Sequence, residues 1–360
     1  MAEPFSMYSA PTEDSPQTIL IIGEAPGEEE EKQGKPFVGP SGKLLDELLA
    51  ISGFKREECH ITNVFTQRPP GNDIKQWTLT KTDLKKLGYS EVGRVPQLQK
   101  RFLHPEHEPE LQRLQHELRE VAPQLTIALG GTALWALTGD GRITQGRGVL
   151  WDASHGGRAI ATYHPAAILR QWDLRPVAWA DLRKARRWLL GALEPPLDRQ
   201  LYINPTEEEL RLCYERFAAQ PSDLLGVDIE TAPGCDQITT VAFATPTLGV
   251  CIPLWDRYTL PTLCNVHAEL SGEVAAWRWI RAFCQLPNPK VMQNGLYDMQ
   301  YLLDVMDLRP VAVQHDTAIL QNALQPELPK ALGTLASLYL NEPLWKNMRE
   351  SAKDENKADE

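Results

Sequence analysis

The sequence predicts an α/β protein of two domains, and three observations predict it. In the first half, apolar runs of strand length alternate with segments of helical periodicity, the pattern of a mostly parallel sheet covered by helices. In the second half, three strand-like runs follow one another directly, as consecutive antiparallel strands do. The halves also differ in charge: residues 1–200 hold 25 Lys and Arg against 26 Asp and Glu, and residues 201–360 hold 12 against 22.

Composition excludes several classes of protein. A chain of 360 residues that is 42% apolar and 24% charged is typical of a globular protein with two ordinary domains. No apolar run approaches the roughly 20 residues of a membrane span, and the N-terminal residues lack the pattern of a signal peptide. The six cysteines form no CxxC pair, which excludes a zinc ribbon and favours reduced thiols. We therefore expect a cytoplasmic protein.

The first half is predicted to begin with a strand over 18–22, which leads into the turn GEAPG. A helix follows over 41–51, with Ser41 as its cap. Residues 74–108 are polar and charged without a clear period, so we expect a surface excursion there. The remaining predicted elements of this half are a strand over 59–65, a helix over 110–121, strands over 124–131 and 158–165, and a basic helix over 177–190.

The stretch 192–206 is the best candidate for a linker, because it carries three prolines and no hydrophobic period. Thr206 and Glu209 then form the pattern of a capping box, which predicts the start of a helix. The elements predicted beyond it are strands over 224–230, 239–245, 249–255 and 290–293, a helix over 274–284, and further helices to about residue 340. The predicted division is a first domain over 1–191, a linker over 192–206, a second domain over 207–346 and a charged tail over 347–360.

One motif in the first half is far more specific than a glycine-rich turn. The segment GEAPGEEEEKQGKPFVGPSGKLLD (23–46) resembles the first motif of family 4 uracil-DNA glycosylases. Asn63 in ITNVF, the Tyr163-His164-Pro165 triplet and the segment ALGGTALWALTG (128–139) also match that family's pattern. The resemblance covers roughly residues 15–190, with an insertion near 74–105, and it implies a DNA glycosylase with a parallel-sheet sandwich fold.

The resemblance implies a pocket for a uracil that has left the base stack. Phe37 would stack on the ring, and Asn63 would pair with the amide edge that distinguishes uracil from cytosine. His164 would donate a hydrogen bond to O2, where negative charge develops as the base departs. Each residue also has a structural interpretation when taken alone, because an isolated Phe is more often part of a core and a His before Pro more often belongs to a turn.

Two further positions complete the expected site. Ala25 occupies the position at which other branches of the superfamily hold a water-activating Asp, so Glu24 is the better candidate for positioning the water. Glu30 would line the pocket near C5 of uracil, although four consecutive glutamates alone would be an ordinary solvated helix start. The resemblance thus implies Glu24, Asn63 and His164 as catalytic residues, and Ala25, Glu30 and Phe37 as substrate-binding ones.

The chain departs from the family at its cofactor. Family 4 enzymes carry an iron–sulfur cluster held by four cysteines, whereas this chain has no cysteine before Cys59. Gln67 precedes the Arg-Pro-Pro triplet where the family has a cysteine. We therefore expect no iron–sulfur cluster, and no other cofactor, in the first domain.

Arginines near the expected pocket and on the basic helix are candidates for contacts with DNA. Arg183 and Arg187 share one face of that helix, where the alternative is an ordinary solvated surface. The complete set of candidates is Arg68, Arg170, Arg175, Arg183, Lys184, Arg186 and Arg187, of which Arg68, Arg170, Arg183 and Arg187 are the preferred ones.

The second half contains a pair of acidic residues typical of metal sites. Asp228 and Glu230 lie two apart on one strand, so both side chains point to the same face. With Asp298 and the segment HDTAIL (315–320), they resemble the DEDD (DnaQ-like) 3′–5′ exonuclease domain of phage-type family A DNA polymerases. That resemblance implies a ribonuclease H-like fold with a mixed sheet, and Mg²⁺ or Mn²⁺ held by Asp228, Glu230 and Asp298.

The fourth carboxylate of that family, in a Tyr-xxx-Asp motif, has no counterpart here. Tyr339 is followed four residues later by Pro343, and Asp316 is better interpreted as the N-cap of its helix. Three explanations remain open: the chain is the front part of a longer polymerase, the polymerase is split between chains, or the domain is catalytically crippled.

Together these patterns predict a uracil-DNA glycosylase joined to a polymerase-type exonuclease domain, as the N-terminal part of a phage-type DNA polymerase. The alternative is a non-catalytic module that positions a split polymerase on DNA. Expected partners are DNA, single-stranded or containing uracil, and a polymerase domain or subunit, with no membrane. The expected location is the cytoplasm of a bacterial host or phage-infected cell.

Overall fold

The computed structural model describes residues 18–88, 97–98, 101–193, 197–232, 237–254 and 272–340. These residues divide into two compact units, one of 18–193 with 333–340 and one of 197–332. The fold class is the predicted one, because each unit is a sheet layered with helices. The division along the chain differs from the predicted one, which placed 333–346 in the second domain. The predicted tail lies outside the described residues.

The first unit is built on a five-stranded sheet of order β2-β1-β6-β8-β7, in which the first four strands are parallel and β7 is antiparallel to β8. The strands of the unit are β1 (Ile19–Gly23), β2 (Cys59–Asn63), β3 (Thr78–Leu79), β4 (Gln97–Leu98), β5 (Arg101–Leu103), β6 (Leu125–Leu129), β7 (Leu150–Asp152) and β8 (Arg158–Thr162).

Helices cover both faces of this sheet, which is why β1 is buried along its whole length. Its odd-numbered residues pack with α2 and α8, and its even-numbered ones with α4 and α5. The helices are α1 (Glu28–Gln33), α2 (Pro40–Ile51), α3 (Lys81–Lys86), α4 (Glu108–Val121), α5 (Gly131–Thr138), α6 (Ile143–Gly146), α7 (Pro165–Arg170) and α8 (Arg175–Leu189).

Two local expectations for the first unit are wrong. The N-cap of α2 is Gly39 rather than Ser41, because Pro40 takes the first helical position, where its missing N–H costs nothing. Residues 74–108 are not merely a surface excursion, since they contain the small antiparallel sheet β3-β5-β4. Trp77 and Leu103 of this segment are buried in the same apolar cluster as the even-numbered residues of β1.

The second unit has a six-stranded mixed sheet of order β14-β13-β10-β11-β12-β9. Three neighbouring strands, β10, β11 and β12, are antiparallel, as predicted. By contrast, β13 is parallel to β10, and β14 is parallel to β13. The elements are β9 (Gln200–Ile203), β10 (Leu225–Thr231), β11 (Ile238–Ala244), β12 (Leu248–Pro253), β13 (Lys290–Met292), β14 (Val313–Asp316), α9 (Glu207–Ala219), α10 (Gly272–Cys284), α11 (Leu296–Gln300) and α12 (Thr317–Leu324).

Two features at the start of this unit bear on the predictions. The capping box of Thr206 and Glu209 is confirmed, with both of its reciprocal hydrogen bonds. The predicted linker over 192–206 contains β9, which pairs in parallel with β12. No helix of the described part of the chain is long and apolar enough to cross a bilayer.

The last described helix, α13 (Leu332–Tyr339), contributes to the first unit. The Lys184 ammonium donates hydrogen bonds to the backbone carbonyls of Ser337 and, at 2.9 Å, Leu340. Arg147 donates to the Ser337 hydroxyl at 2.9 Å and forms a buried ion pair with Asp181. The expectation that Lys184 contributes to an exposed basic face is therefore wrong, because its side chain is buried beneath this segment.

Candidate active site

Four neighbouring parallel strands, β2, β1, β6 and β8, end at the same edge of the first sheet and bring the predicted site residues together there. Asn63 is the last residue of β2, Glu24 follows β1, and His164 follows β8 by two residues. These three residues, with Ala25, Phe37 and Glu30, line one cleft of about 340 Å³. The structure thus gathers every predicted catalytic and substrate-binding residue of the first domain in one place.

His164 is the N-cap of α7, and this position determines its hydrogen bonding. Its Nδ1 accepts a hydrogen bond from the Ala166 backbone N–H at 3.1 Å, so in the neutral ring the proton lies on Nε2. Burial, together with the charge of nearby Arg170, lowers the pKa of His164 to about 4 against the opposing effect of Glu30. At neutral pH His164 is therefore an uncharged donor.

Phe37 is held in a strained backbone conformation at the wall of the cleft. Its φ of 54° lies in the left-handed region, which non-glycine residues rarely adopt. The Phe37 ring centroid lies 5.6 Å from that of His164, with 32° between the planes. Gly42 lets the start of α2 lie against the backbone of Phe37, since a Cβ there would lie 2.0 Å from the Phe37 carbonyl oxygen.

The loop around Phe37 is fixed from two sides. Glu30 is 8% exposed, and its Oε1 accepts hydrogen bonds from the backbone N–H groups of Val38 at 3.0 Å and Gly39 at 2.9 Å. From the other side, the Arg56 guanidinium donates to the carbonyl oxygens of Pro36 at 2.9 Å and Phe37 at 3.1 Å. Glu30 therefore anchors the loop as well as lining the cleft. No sequence motif points to the contribution of Arg56.

Asn63 presents an unpaired acceptor in the cleft. It is 9% exposed, and its side-chain Oδ1 has no hydrogen-bond partner within the described residues. Gly23, its partner in the β1–β2 register, makes room for it, because a Cβ there would lie 2.3 Å from that oxygen. A buried carbonyl oxygen without a partner is costly, so a ligand that donates to it gains stabilisation.

Glu24 is oriented by a residue far away in the sequence. Its Oε2 accepts a hydrogen bond from the Thr132 hydroxyl at 2.5 Å, and its carbonyl accepts one from the Phe65 N–H at 3.0 Å. Ala25 lies beside it and adds no acid to the cleft. The acidic residues that line this cleft are Glu24, the buried Glu30 and Asp73.

The arginine candidates lie in different surroundings. Arg170 is exposed and lines the cleft, and Arg68 lines a neighbouring hollow that shares Glu30 and Asn63 with it. Arg183 and Arg187 are exposed on α8; the Arg183 guanidinium lies 4.7 Å from the Trp179 ring centroid. The pocket therefore has Arg170 at its wall.

The predicted metal ligands of the second unit lie on β10 and beside it. Asp228 and Glu230 are exposed on the same face of β10, as predicted. Asp298 is buried, and its Oδ1 accepts a hydrogen bond from the Ile229 N–H at 2.9 Å. Burial raises the pKa of Asp298, and the charges of Asp316 and Glu230 raise it further. Within the described ranges, no group of three or more His, Cys, Asp or Glu side chains is arranged to hold a metal ion.

Asp316 is the N-cap of α12, which confirms the prediction. Its carboxylate accepts hydrogen bonds from the backbone N–H groups of Ala318 and Ile319, and from those of Asn294 and Gly295. Burial alone would raise the pKa of Asp316, but these donors outweigh it and lower the pKa. Asp316 therefore has a structural role at this helix start.

Comparisons with known proteins agree with the geometry of the first unit. A family model described as the uracil DNA glycosylase superfamily matches residues 11–183. The type-4 uracil-DNA glycosylase of Thermotoga maritima is 35% identical over 176 residues, which cover 48% of this chain and 77% of that protein. The corresponding protein of Archaeoglobus fulgidus is 32% identical over 188 residues, covering 50% and 80%.

Solved structures give a weaker likeness. Escherichia coli RNase D is 16% identical with a TM-score of 0.30, covering 42% of this chain and 36% of that one. The Aedes aegypti Nibbler EXO domain is 11% identical with a TM-score of 0.32, covering 44% and 78%.

Proposed function

The chain belongs to the type-4 uracil-DNA glycosylase family, and from this premise we propose that its first unit hydrolyses the N-glycosidic bond of uracil in DNA. The observation that carries the proposal is the unpaired Oδ1 of Asn63, buried in a cleft that also holds Phe37 and His164. An extruded uracil needs an aromatic face to stack on, an amide group that supplies both an acceptor and a donor, and a neutral imidazole N–H. Phe37, Asn63 and His164 supply these in turn.

Recognition follows from the edge that uracil presents. Asn63 Oδ1 accepts from uracil N3–H, and its Nδ2 donates to O4, while Phe37 stacks on the ring. Cytosine has an acceptor at N3 and a donor at N4, so the same amide would face it with both groups mismatched. A site built around a buried hydrogen bond rejects such a base strongly, because its own polar atoms are left unpaired.

The proposed reaction needs a hydrogen-bond donor for the departing uracil and a positioned water molecule. The C1′–N1 bond breaks and its electron pair leaves with uracil, whose O2 accepts a hydrogen bond from His164 Nε2–H. Glu24 holds a water molecule whose oxygen forms the new bond to C1′. The proton that this water loses passes through Glu24 to solvent, and the uracil anion takes up a proton in turn.

The iron–sulfur cluster of the family has no place in this mechanism. Cys59 is the only cysteine in the first 212 residues, and a single thiolate cannot hold a cluster that needs four. The residues present therefore do not fit the cluster, and no step is assigned to it.

The decisive experiment incubates the purified chain with a 5′-labelled single-stranded oligonucleotide that contains one uracil, in EDTA, followed by alkali. We expect cleavage at the uracil alone, with a thymine oligonucleotide and the His164→Ala variant as controls. An intact strand would overturn the proposal. An intact strand that is nevertheless retained in a gel shift would favour a non-catalytic module that positions a split polymerase on DNA.

For the second unit we propose a domain of the polymerase-type 3′–5′ exonuclease kind that is inactive in this chain by itself, in a chain that forms the N-terminal part of a phage-type DNA polymerase. The mixed sheet and the position of Asp228 and Glu230 on one exposed face support this. Because the described carboxylates form no metal-binding group, we expect no degradation of a 3′-labelled strand by this chain with Mg²⁺ or Mn²⁺. Degradation would show that the site assembles on DNA.

We further propose DNA as the partner of the first unit, reached through Arg170 and Arg68 beside the cleft and through Arg183 and Arg187 on α8. Contacts of this kind are made with phosphates, so binding weakens steeply as salt rises. We propose that this reaction takes place in the cytoplasm of a bacterium or phage-infected cell.

A further inference from the structure

Thr132 lies at the point where the turn after β6 meets the end of β1. The backbone of Gly130 has a φ of 88°, which turns the chain sharply from β6 into α5 and places Thr132 in the first turn of that helix. Since β6 is the neighbour of β1 in the sheet, this turn lies beside Glu24. Thr132 is 6% exposed, so its hydroxyl needs a partner within the protein.

The partner of this hydroxyl is unusual for a threonine in a helix. Thr138, at the other end of α5, donates to the carbonyl of Leu134 at 2.8 Å, the ordinary bond within one helical turn. Thr132 has no such turn before it, and its Oγ1 instead donates to Oε2 of Glu24 at 2.5 Å, across 108 residues of sequence. A hydroxyl bonded to a carboxylate makes a stronger hydrogen bond than one between neutral groups.

We propose that Thr132 is the positioning residue for Glu24, fixing one carboxylate oxygen so that the other holds the attacking water. The inference rests on the proposed function, because it assigns the water to Glu24. A free glutamate side chain has several rotamers, and a misplacement of about 1 Å in a reacting group costs on the order of a hundredfold in rate. The hydrogen bond from Thr132 to Oε2 restricts these rotamers and so fixes the other oxygen, which holds the water.

The test compares single-turnover rates with the affinity for an oligonucleotide containing one uracil. Thr132→Val removes the hydroxyl and keeps the side-chain shape, so we expect the rate to fall roughly 10- to 100-fold with affinity changed less than about twofold. Thr132→Ser keeps the hydroxyl and should restore most of the rate. Thr126→Val is the matched control, because Thr126 is buried on β6 and its hydroxyl bonds to His155.

A double variant separates positioning from general damage to the fold. If Thr132 acts through Glu24, Thr132→Val has no further effect on the rate in a Glu24→Ala background. An equal loss in both backgrounds, or a Thr132→Ser variant as slow as Thr132→Val, would overturn the proposal.

A crystal structure of the Thr132→Val variant tests the same inference without activity. A displaced Glu24 side chain supports positioning, and an unchanged one overturns it. If the wild-type chain leaves uracil DNA intact, the proposed function fails together with the attacking water, and this structural comparison still decides whether Thr132 positions Glu24.

Discussion

At the scale of single residues, Asn63 is where the choice of base is tested most directly. In Asn63→Asp the donor to uracil O4 is lost, and the carboxyl can accept from the N4 amino group of cytosine. We expect the rate on uracil to fall by about a hundredfold and the ratio of uracil to cytosine cleavage to shrink. Oligonucleotides that differ only in that base measure both. The control is Asn72→Asp, which adds a charge to the same cleft; an equal effect there would contradict the assignment.

His164 makes a separate prediction about pH. Its pKa of about 4 in the folded protein is below the ordinary value, so the unfolded chain binds the proton first as pH falls. Its contribution to stability is therefore present above about pH 6.5 and is lost towards pH 4, with a slope of at most about 1.4 kcal/mol per pH unit. His164→Asn keeps a capping side chain that does not titrate, and it should flatten the fall in urea-unfolding free energy over this window. An unchanged slope would contradict the burial of a neutral ring.

Part of the candidate site could be predicted from the sequence. Glu24, Asn63 and His164 stand in motifs whose residues are close in sequence to strand ends, so their meeting in one cleft was predictable. Thr132 and Arg56 were missed, because each acts through a contact that only the folded sheet creates. The prediction that Asp228 and Glu230 share one face of their strand is confirmed. Their spacing does not predict the hydrogen bond from the Ile229 N–H that holds the buried Asp298.

At the scale of elements, the loop that carries Phe37 depends on the start of α2. Gly42→Ala would place a Cβ 2.0 Å from the Phe37 carbonyl oxygen, so the backbone of the loop must move. We expect KM for uracil DNA to rise about tenfold or more, because the stacking ring leaves its place, while the fold persists. Steady-state kinetics and a circular dichroism spectrum measure the two effects.

The control for this element is Gly34→Ala. Unlike Gly42, Gly34 has a left-handed backbone, with φ of 63°, and a Cβ there meets no atom within 4 Å. The variant should cost some stability through backbone strain and leave KM unchanged. A similar rise in KM for both variants would show that the clash of the new methyl group with Phe37 is not responsible.

At the scale of the whole molecule, the first unit is not continuous in sequence. The second unit, 197–332, stands between two segments of the first unit, because residues 333–340 return to it. Composition and periodicity could locate a proline-rich boundary near residue 195, but not this return. It depends on contacts between residues far apart in the sequence. Lys184 donates to the carbonyls of Ser337 and Leu340, and Arg147, which is paired with Asp181, donates to the Ser337 hydroxyl.

The return segment leads to the last prediction, which concerns truncation. A chain that ends at Ala331 leaves the Lys184 ammonium without two of its carbonyl partners, and burial already lowers the pKa of Lys184 to about 8. Leaving buried charged groups without partners costs roughly 2–3 kcal/mol, which corresponds to a melting temperature about 4–12 °C lower. A chain that ends at Leu340 is the matched control, because it keeps both carbonyl partners of Lys184. Calorimetry of the three proteins decides, since equal transitions for the first unit would mean that residues 333–340 add nothing to its stability.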